Sequence, residues 1–299
     1  MKMLIIGAGF IGRHLVEAAV EAGHSVTILD YRASRNSSGA ATARILGDVR
    51  DRNLLTSLVP EFECVVNLAG LLGTAETVEN PIPSVETNLL GALYLYEAIR
   101  SASIAQPIRC VQITVGNHFM NNSYAITKSA AERFALMYNK EHGTKIAVVR
   151  ALNTYGPHQK AAPVRKVIPN FIAAALARQP IKIFGSGEQI MDMIYVEDVA
   201  RVLLLAATNP NVPYDMILEA GTGRRTSIKQ VAELINEIAA SLAGTEHLPM
   251  RPGEPVDSEV VGDPHSLRCL GLDAANFVSL EDGLTRTIHW YRQQLVNGS

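Results

Sequence analysis

Cysteine is scarce in this chain, charge is balanced, and no apolar run is long. Three cysteines occur, Cys64, Cys110 and Cys269, odd in number and widely spaced, with no Cys-x-x-Cys. Cys64 and Cys110 lie in apolar, strand-like runs. They read as reduced core thiols of a cytosolic protein, not as disulfides or zinc ligands, and no metal site is expected. A formal net charge of −2 gives no electrostatic argument for nucleic acid or an anionic membrane. No apolar stretch approaches the ~20 residues of a bilayer span. The apolar N-terminus is broken early by Gly7, Gly9 and Gly12, unlike a secretion signal. Internal repeats and low-complexity tracts are missing as well. What is present is a core-rich globular composition, 47% hydrophobic and 19% charged. Its 299 residues suffice for one large domain or two ordinary ones.

Strand-like and helical patterns alternate over the first two-thirds. The runs Met3–Ile6, Ser25–Leu29, Cys64–Leu68, Cys110–Thr114 and Ile146–Val149 read as buried parallel strands. Helical stretches lie between them at Ile11–Ala22, Leu54–Leu58, Val85–Ser101 and Ser123–His142. Gly23 and Gly143 stand where C′ glycines stop two of these helices. The alternation predicts right-handed crossovers and an α/β fold with a doubly wound parallel sheet. After Arg150, Pro157, Pro163, Pro169 and Pro180 punctuate shorter segments. Strands are expected at Ile181–Phe184, Ile194–Val196 and Met216–Ala220, helices at Asp198–Ala207 and Ser227–Ala243, and a loop over Pro249–Pro264.

Gly7-Ala-Gly9-Phe-Ile-Gly12 follows the first strand and opens the first helix. Glycine there permits a tight turn and a close approach of backbone to a pyrophosphate, while the helix N-terminus offers N–H groups to the anion. A glycine-rich turn without a ligand is the other reading of the motif alone. Asp30 closes the second strand, 18 positions after Gly12. A carboxylate there accepts ribose hydroxyls and repels a 2′-phosphate, favouring NAD over NADP. Arg32 and Arg35 stand nearby, as phosphate contacts or as a solvated loop. Asp48, after Gly47, either meets the adenine or belongs to a surface turn.

Asn121, Asn122 and Ser123 are good N-cap residues, and Tyr124 and Lys128 follow at i and i+4 on one helix face. An unperturbed tyrosine titrates near pH ~10. A neighbouring ammonium and a nicotinamide cation both favour phenolate, so its pKa is expected to fall. Tyr124 then exchanges a proton with an alcohol or ketone while hydride moves at carbon. An amphipathic surface helix with an incidental Tyr and Lys is the alternative, weakened by the glycine cradle upstream.

With these motifs the chain resembles the extended branch of the short-chain dehydrogenase/reductase superfamily, the NAD-dependent epimerases/dehydratases. The resemblance runs nearly end to end. It includes Gly47-Asp48-Val49, Asn67-Leu68-Ala69-Gly70, Thr87-Asn88-Leu89-Leu90-Gly91, Tyr124-Ala-Ile-Thr-Lys128 and Arg150-Ala-Leu-Asn153-Thr-Tyr-Gly156-Pro157. It continues through Ile194-Tyr-Val-Glu-Asp198, Arg251-Pro-Gly-Glu254 and Ser279-Leu-Glu-Asp-Gly-Leu284. It implies a Rossmann-type domain over 1–155, with 190–222 returning to it, and a smaller substrate-binding region over 156–189 and 223–299. It implies that Gly7, Gly9, Phe10, Ile11, Gly12, Asp30, Asp48, Val49, Leu68, Ala69 and Gly70 line NAD, and that Lys128 holds the nicotinamide ribose. Asn153 and Arg251 would meet a substrate diphosphate, for which a guanidinium fork is well shaped. Pairing of Arg251 with Glu254 is the alternative on spacing. A homodimer is expected through helices 85–101 and 123–142, carrying Leu89, Leu90, Leu93 and Leu95 on one and Ala130, Ala131, Phe134 and Leu136 on the other.

The chain departs from the family pattern at three places, the first in the cofactor cradle, whose Gly-x-Gly-x-x-Gly core survives. Ile5 and Ile6 stand where the family has Thr-Gly. Met191 replaces an arginine that family members often offer to phosphates. Before Tyr124, Gln112-Ile-Thr114-Val-Gly-Asn117-His118 is short. Thr114 is the candidate for the hydroxyl that assists the tyrosine, with Asn117 and Ser123 as substitutes, and it reads equally as an ordinary strand end. His118 reads as solvated or substrate-lining. Val115-Gly116 stands where dehydratases carry Asp-Glu, so water loss has no acid–base candidates. Three activities follow as expectations: a nucleotide-sugar 4-epimerase first, a ketoreductase of keto-sugars or other natural products second, and a non-catalytic dinucleotide sensor third.

Overall fold

The computed structural model describes residues 1–32, 41, 43–73, 76–104, 106–251 and 257–297. Arg35 and Glu254 lie outside the described residues. Six strands come first: β1 (Lys2–Ile6), β2 (Ser25–Asp30), β3 (Ala43–Leu46), β4 (Cys64–Asn67), β5 (Arg109–Val115) and β6 (Lys145–Ala151). The chain then leaves the sheet through β7 (Asn153–Tyr155), β8 (Ile181–Phe184), β9 (Ile190–Met191) and β10 (Met193–Tyr195). It returns as β11 (Ile217–Ala220). The seven-stranded sheet has the order β11-β6-β5-β4-β1-β2-β3, with every pairing parallel. The order reverses between β1 and β4, and in such sheets a ligand crevice opens at the carboxyl ends of the strands beside that point.

Parallel strands must be covered on both faces. Helices α1 (Phe10–Glu21), α2 (Arg52–Leu58), α3 (Ile82–Ser84), α4 (Gly91–Ala102), α5 (Ser123–His142), α6 (Val167–Leu176) and α7 (Val196–Thr208) occur in that order. Successive residues of β1 split between two cores. Met3 and Ile5 join Leu15, Val16, Val199 and Leu203 of α1 and α7; Leu4 and Ile6 join Leu95, Ile99 and Ala131 of α4 and α5. Each such side chain contributes about 1.5–3 kcal/mol by leaving water.

A third core forms around Tyr155, Phe171, Ile183, Tyr195, Val231, Ile235 and Leu284. It belongs to a smaller body built from α6, β8, β12 (Thr226–Ser227), α8 (Ile228–Ala239), β13 (Thr245–Leu248), β14 (Glu259–Val260) and α9 (Leu280–Asn297). Strand β14 lies inside the stretch read from sequence as loop. Too short for a hydrophobic pattern, it exists because it pairs with β9.

The continuous helix expected over 85–101 is divided. A π-helical stretch, Val85–Leu90, separates α3 from α4. Asn88, within this stretch, is buried and turned to the loop after β4. Its Oδ1 accepts from Leu71 N–H at 2.7 Å, and its Nδ2 donates to Leu71 O and to Thr127 Oγ1, both at 3.1 Å. Helix α5, by contrast, has the expected ends. The Asn122 side chain accepts from Ala125 N–H at 2.9 Å, and Gly143 closes the helix in the left-handed region at φ 65°.

Candidate active site

The site is assembled where β1, β4, β5 and β6 end. Gly7 turns the chain out of β1 with φ 89°, and its N–H donates to Leu29 O at 2.9 Å. A Cβ on Gly12 would meet Gly7 O at 2.3 Å, so α1 can lie this close to the turn only without a side chain there. Gly9 is the N-cap of α1, and a Cβ on it would meet nothing within 4 Å. Its face is open, as backbone approach to a phosphate requires, and Phe10 and Ile11 begin the helix behind it. Asp30 ties the second strand to this loop: Oδ2 accepts from Ala8 N–H and Oδ1 from Arg32 N–H, each at 3.0 Å.

Asp48 is engaged within its own turn. Arg50 donates to it from the backbone and from the guanidinium, with Nη2 at 2.7 Å, and these bonds hold the carboxyl below its ordinary range. Val49 is buried against Gly91, where a Cβ would approach Val49 Cγ1 to 2.8 Å. Gly70 has a comparable role. A Cβ there would lie 2.9 Å from Lys128 Nζ, and that ammonium donates to Ala69 O at 2.9 Å. Leu68, Ala69 and Gly70 thus run between the glycine turn and the lysine: a Cβ on Gly7 would touch Leu68 and Ala69 backbone at 3.0–3.1 Å.

Tyr124 is half-buried and Lys128 buried on the same face of α5. Burial pushes the phenol well above its ordinary value and pulls the lysine down to about 8. The fall expected for Tyr124 needs the cofactor's charge as well as the ammonium, and burial of the phenol opposes it. Desolvation favours the protonated phenol and the neutral amine, so it acts against the ammonium one turn away.

The residues expected to assist Tyr124 are engaged elsewhere. Thr114 faces α5 and donates to Glu132 Oε2 at 2.9 Å. Glu132 is also held by Arg150, Nε to Oε2 at 2.8 Å and Nη2 to Oε1 at 2.5 Å, while Arg150 Nη1 reaches Glu219 at 2.9 Å. Thr114, Arg150 and Glu219 are direct neighbours across β5, β6 and β11. Ser123 donates to Thr77 O at 2.7 Å. Asn117 donates to Met120 Sδ at 3.3 Å, and His118 Nδ1 lies 3.0 Å from Gly116 O with its ring edge-on to Phe119.

On the other side of the site, Asn153 donates from its backbone and its side-chain amide to Asp192 O, at 3.1 and 3.3 Å. The Arg251 guanidinium lies over the Phe184 ring at 5.0 Å. Met191 is the middle of a three-stranded ladder, paired with Thr226 of β12 and Val260 of β14. Sequence reasoning assigned no role to Asn88, Thr127, Glu132 or Asp192. The Thr87-Asn88 and Tyr124-Ala-Ile-Thr-Lys128 motifs were the available signals for the first two, and the stretch beginning at Met191 for Asp192; Glu132 is recognisable only from its tertiary partners. Among the described residues no cluster of metal-ligating side chains occurs, and no helix is long and apolar enough to cross a membrane.

The sequence model of the NAD dependent epimerase/dehydratase family matches residues 3–218. A UDP-N-acetyl-alpha-D-glucosaminuronate decarboxylase of Bacillus cytotoxicus is 31% identical over 96% of each chain. The crystal structure of a UDP-glucose 4-epimerase from Thermotoga maritima with UDP-glucose superposes with a TM-score of 0.89. It covers 99% of this chain and 100% of its own at 27% identity. The Thermus thermophilus UDP-glucose 4-epimerase in complex with NAD superposes at 0.86, with 26% identity over 98% and 99% of the two chains.

Proposed function

Since the chain belongs to the NAD-dependent epimerase/dehydratase family, we propose that it is a nucleotide-sugar 4-epimerase that works through a transient 4-keto sugar. The observation that carries this reading is the pairing of Tyr124 with Lys128, whose ammonium is fixed at Ala69–Gly70 beside the open Gly9 turn. The cradle suits a dinucleotide, and Asp30 at the end of β2 favours one with a free 2′-hydroxyl. Bound NAD supplies a hydride acceptor that can later return the same hydride.

In this mechanism Tyr124 accepts the C4 hydroxyl proton as the C4–H bond breaks, and gives it back to the ketone oxygen after the sugar has turned. The charge of Lys128 and of the oxidised cofactor offsets the desolvation that keeps the phenol protonated. Asn153 and Arg251 hold the diphosphate. Val115-Gly116 supplies no acid or base for dehydration.

A second reading is a reductase of a keto-sugar or other ketone. Two observations favour it: the segment from Thr114 to Tyr124 is short, and Met191 is apolar within its ladder. A panel of nucleotide sugars and keto compounds, assayed with and without added NADH and NADPH, separates the two. Sugar interconversion without added cofactor supports the epimerase. Stoichiometric cofactor consumption supports the reductase.

We infer a homodimer as the working form, through α4 and α5. Leu95 and Ala131 belong to the core beneath, and Leu89, Leu93 and Leu136 pack partly against it. The residues of α5 left for a partner are Ile126, Phe134 and Met137, exposed by 53, 38 and 37%.

A further inference from the structure

Asp192 stands between β9 and β10 and is fully buried, at 0% exposure. Its carboxylate accepts from the Thr222 N–H at 2.9 and 3.0 Å, the Thr222 hydroxyl at 2.6 Å, the Gly223 N–H at 2.8 Å and the Gly262 N–H at 3.2 Å. None of these donors is a cation. Taking a carboxylate out of water is costly, and four donors converging on it are what offset that cost. The surroundings are shaped to the group: a Cβ on Gly221 would come within 2.6 Å of Oδ2.

The main chain of the same residue joins two further strands. Its N–H donates to Val260 O of β14 at 2.8 Å, and its carbonyl accepts both bonds from Asn153. One residue therefore connects β7, the turn after β11 and the segment that follows Arg251. Apolar packing generally holds loops together at lower cost than a buried charge. A carboxylate with directed bonds fixes their relative placement instead, because each donor must point at it.

We propose that Asp192 is a positioning residue for the substrate half of the site. It sets Asn153 and the 221–223 and 260–262 segments at the spacing that a nucleoside diphosphate sugar needs. The proposal rests on the nucleotide-sugar reading above. Asp192 shares no described hydrogen bond with α5, which carries Tyr124 and Lys128, so its loss falls on substrate affinity and not on proton transfer.

The test is calorimetric binding of UDP to the full-length protein supplied with NAD, beside kcat and KM for the sugar that turns over. Asp192→Asn keeps the shape but turns one acceptor into a donor aimed at N–H groups. UDP affinity is expected to weaken, and KM to rise, by about tenfold or more, with kcat and NAD affinity close to wild type. Gly221→Ala crowds the carboxylate and Thr222→Val removes one donor. Each is expected to shift KM in the same direction by less, and they decide the matter if Asp192→Asn does not fold. Folded variants that bind UDP as the wild type does overturn the proposal, as does a loss confined to kcat. A wild-type protein that binds no UDP and converts no nucleotide sugar refutes the nucleotide-sugar reading itself, and the proposal falls with it.

Discussion

The ammonium of Lys128 donates to the backbone carbonyl of Ala69 at 2.9 Å, which fixes a cation one helical turn from Tyr124 against the loop leaving β4. The acceptor is neutral, so burial governs the lysine and draws its pKa down to about 8. The buried lysine is therefore held in place at a cost to the folded protein.

That cost has a pH signature. An unfolded lysine titrates near ~10.4, so between about pH 8 and that value the folded chain binds fewer protons than the unfolded one. Stability rises with pH across this window, and below it the full penalty is present. Lys128→Met is expected to stabilise the cofactor-free protein at pH 7 by up to roughly 3 kcal/mol. The gain should shrink toward pH 10, and turnover should be lost throughout. Calorimetric melting at the two pH values checks this; a variant that melts lower at pH 7 contradicts it.

Tyr124→Phe keeps the ring and removes the hydroxyl proposed to move the proton. Turnover of the true substrate should drop by at least ~10²–10⁴-fold while NAD affinity is retained. Near-normal turnover would transfer the proton-transfer role elsewhere, and His118 would be the first residue to replace.

Thr114→Val separates chemistry from packing. Its hydroxyl is bonded to buried Glu132, so the variant should lose about 1–3 kcal/mol of stability by leaving a charged acceptor short of a donor. Its kcat should stay close to wild type. Denaturant unfolding and steady-state rates give the two numbers; a large drop in kcat without a stability loss would restore Thr114 to the active site.

The proposed reading assigns cofactor choice to Asp30. NAD should bind more tightly than NADP, and Asp30→Ala should shrink the ratio by about tenfold or more, because a charged acceptor is lost along with its repulsion of a 2′-phosphate. Titrating both cofactors settles it, and equal affinities in the wild type refute it.

The dimer is open to a direct measurement. Light scattering at micromolar concentration should give twice the mass of one chain, and Phe134→Asp should give a monomer, since a charge there must be buried against the partner. A monomeric wild type rules the interface out.

Much of this site is local and therefore visible in sequence. Gly7, Gly9, Gly12 and Asp30 declare themselves through spacing, because one strand, one turn and one helix carry the geometry. Tyr124 and Lys128 do so through the period of a helix with good caps. The engagement of Thr114 is of another kind. It depends on Glu132 of α5 and Arg150 of β6 meeting over adjacent strands, and no spacing rule reports that. The burial of Tyr124 is of the same kind: the ammonium neighbour is readable, the desolvation that opposes it is not. Strands β3 and β14 are short and owe their existence to partners, so they leave little pattern to read.

The π-helical stretch at Val85–Leu90 fits one more residue into a turn than an α-helix holds, and Asn88 reaches Leu71 from within it. Removing a single residue from that stretch would let the helix become regular and leave α3 and α4 in nearly their present phase, because the widened turn is what absorbs the extra residue. Within the stretch the backbone would rewind to an α-helical turn, and Asn88 would lose the wide turn from which it reaches Leu71. Homologous exchange of side chains along this helix is thus compatible with the site, whereas a change of its length by one codon is not, although it lies outside every residue that would touch a ligand.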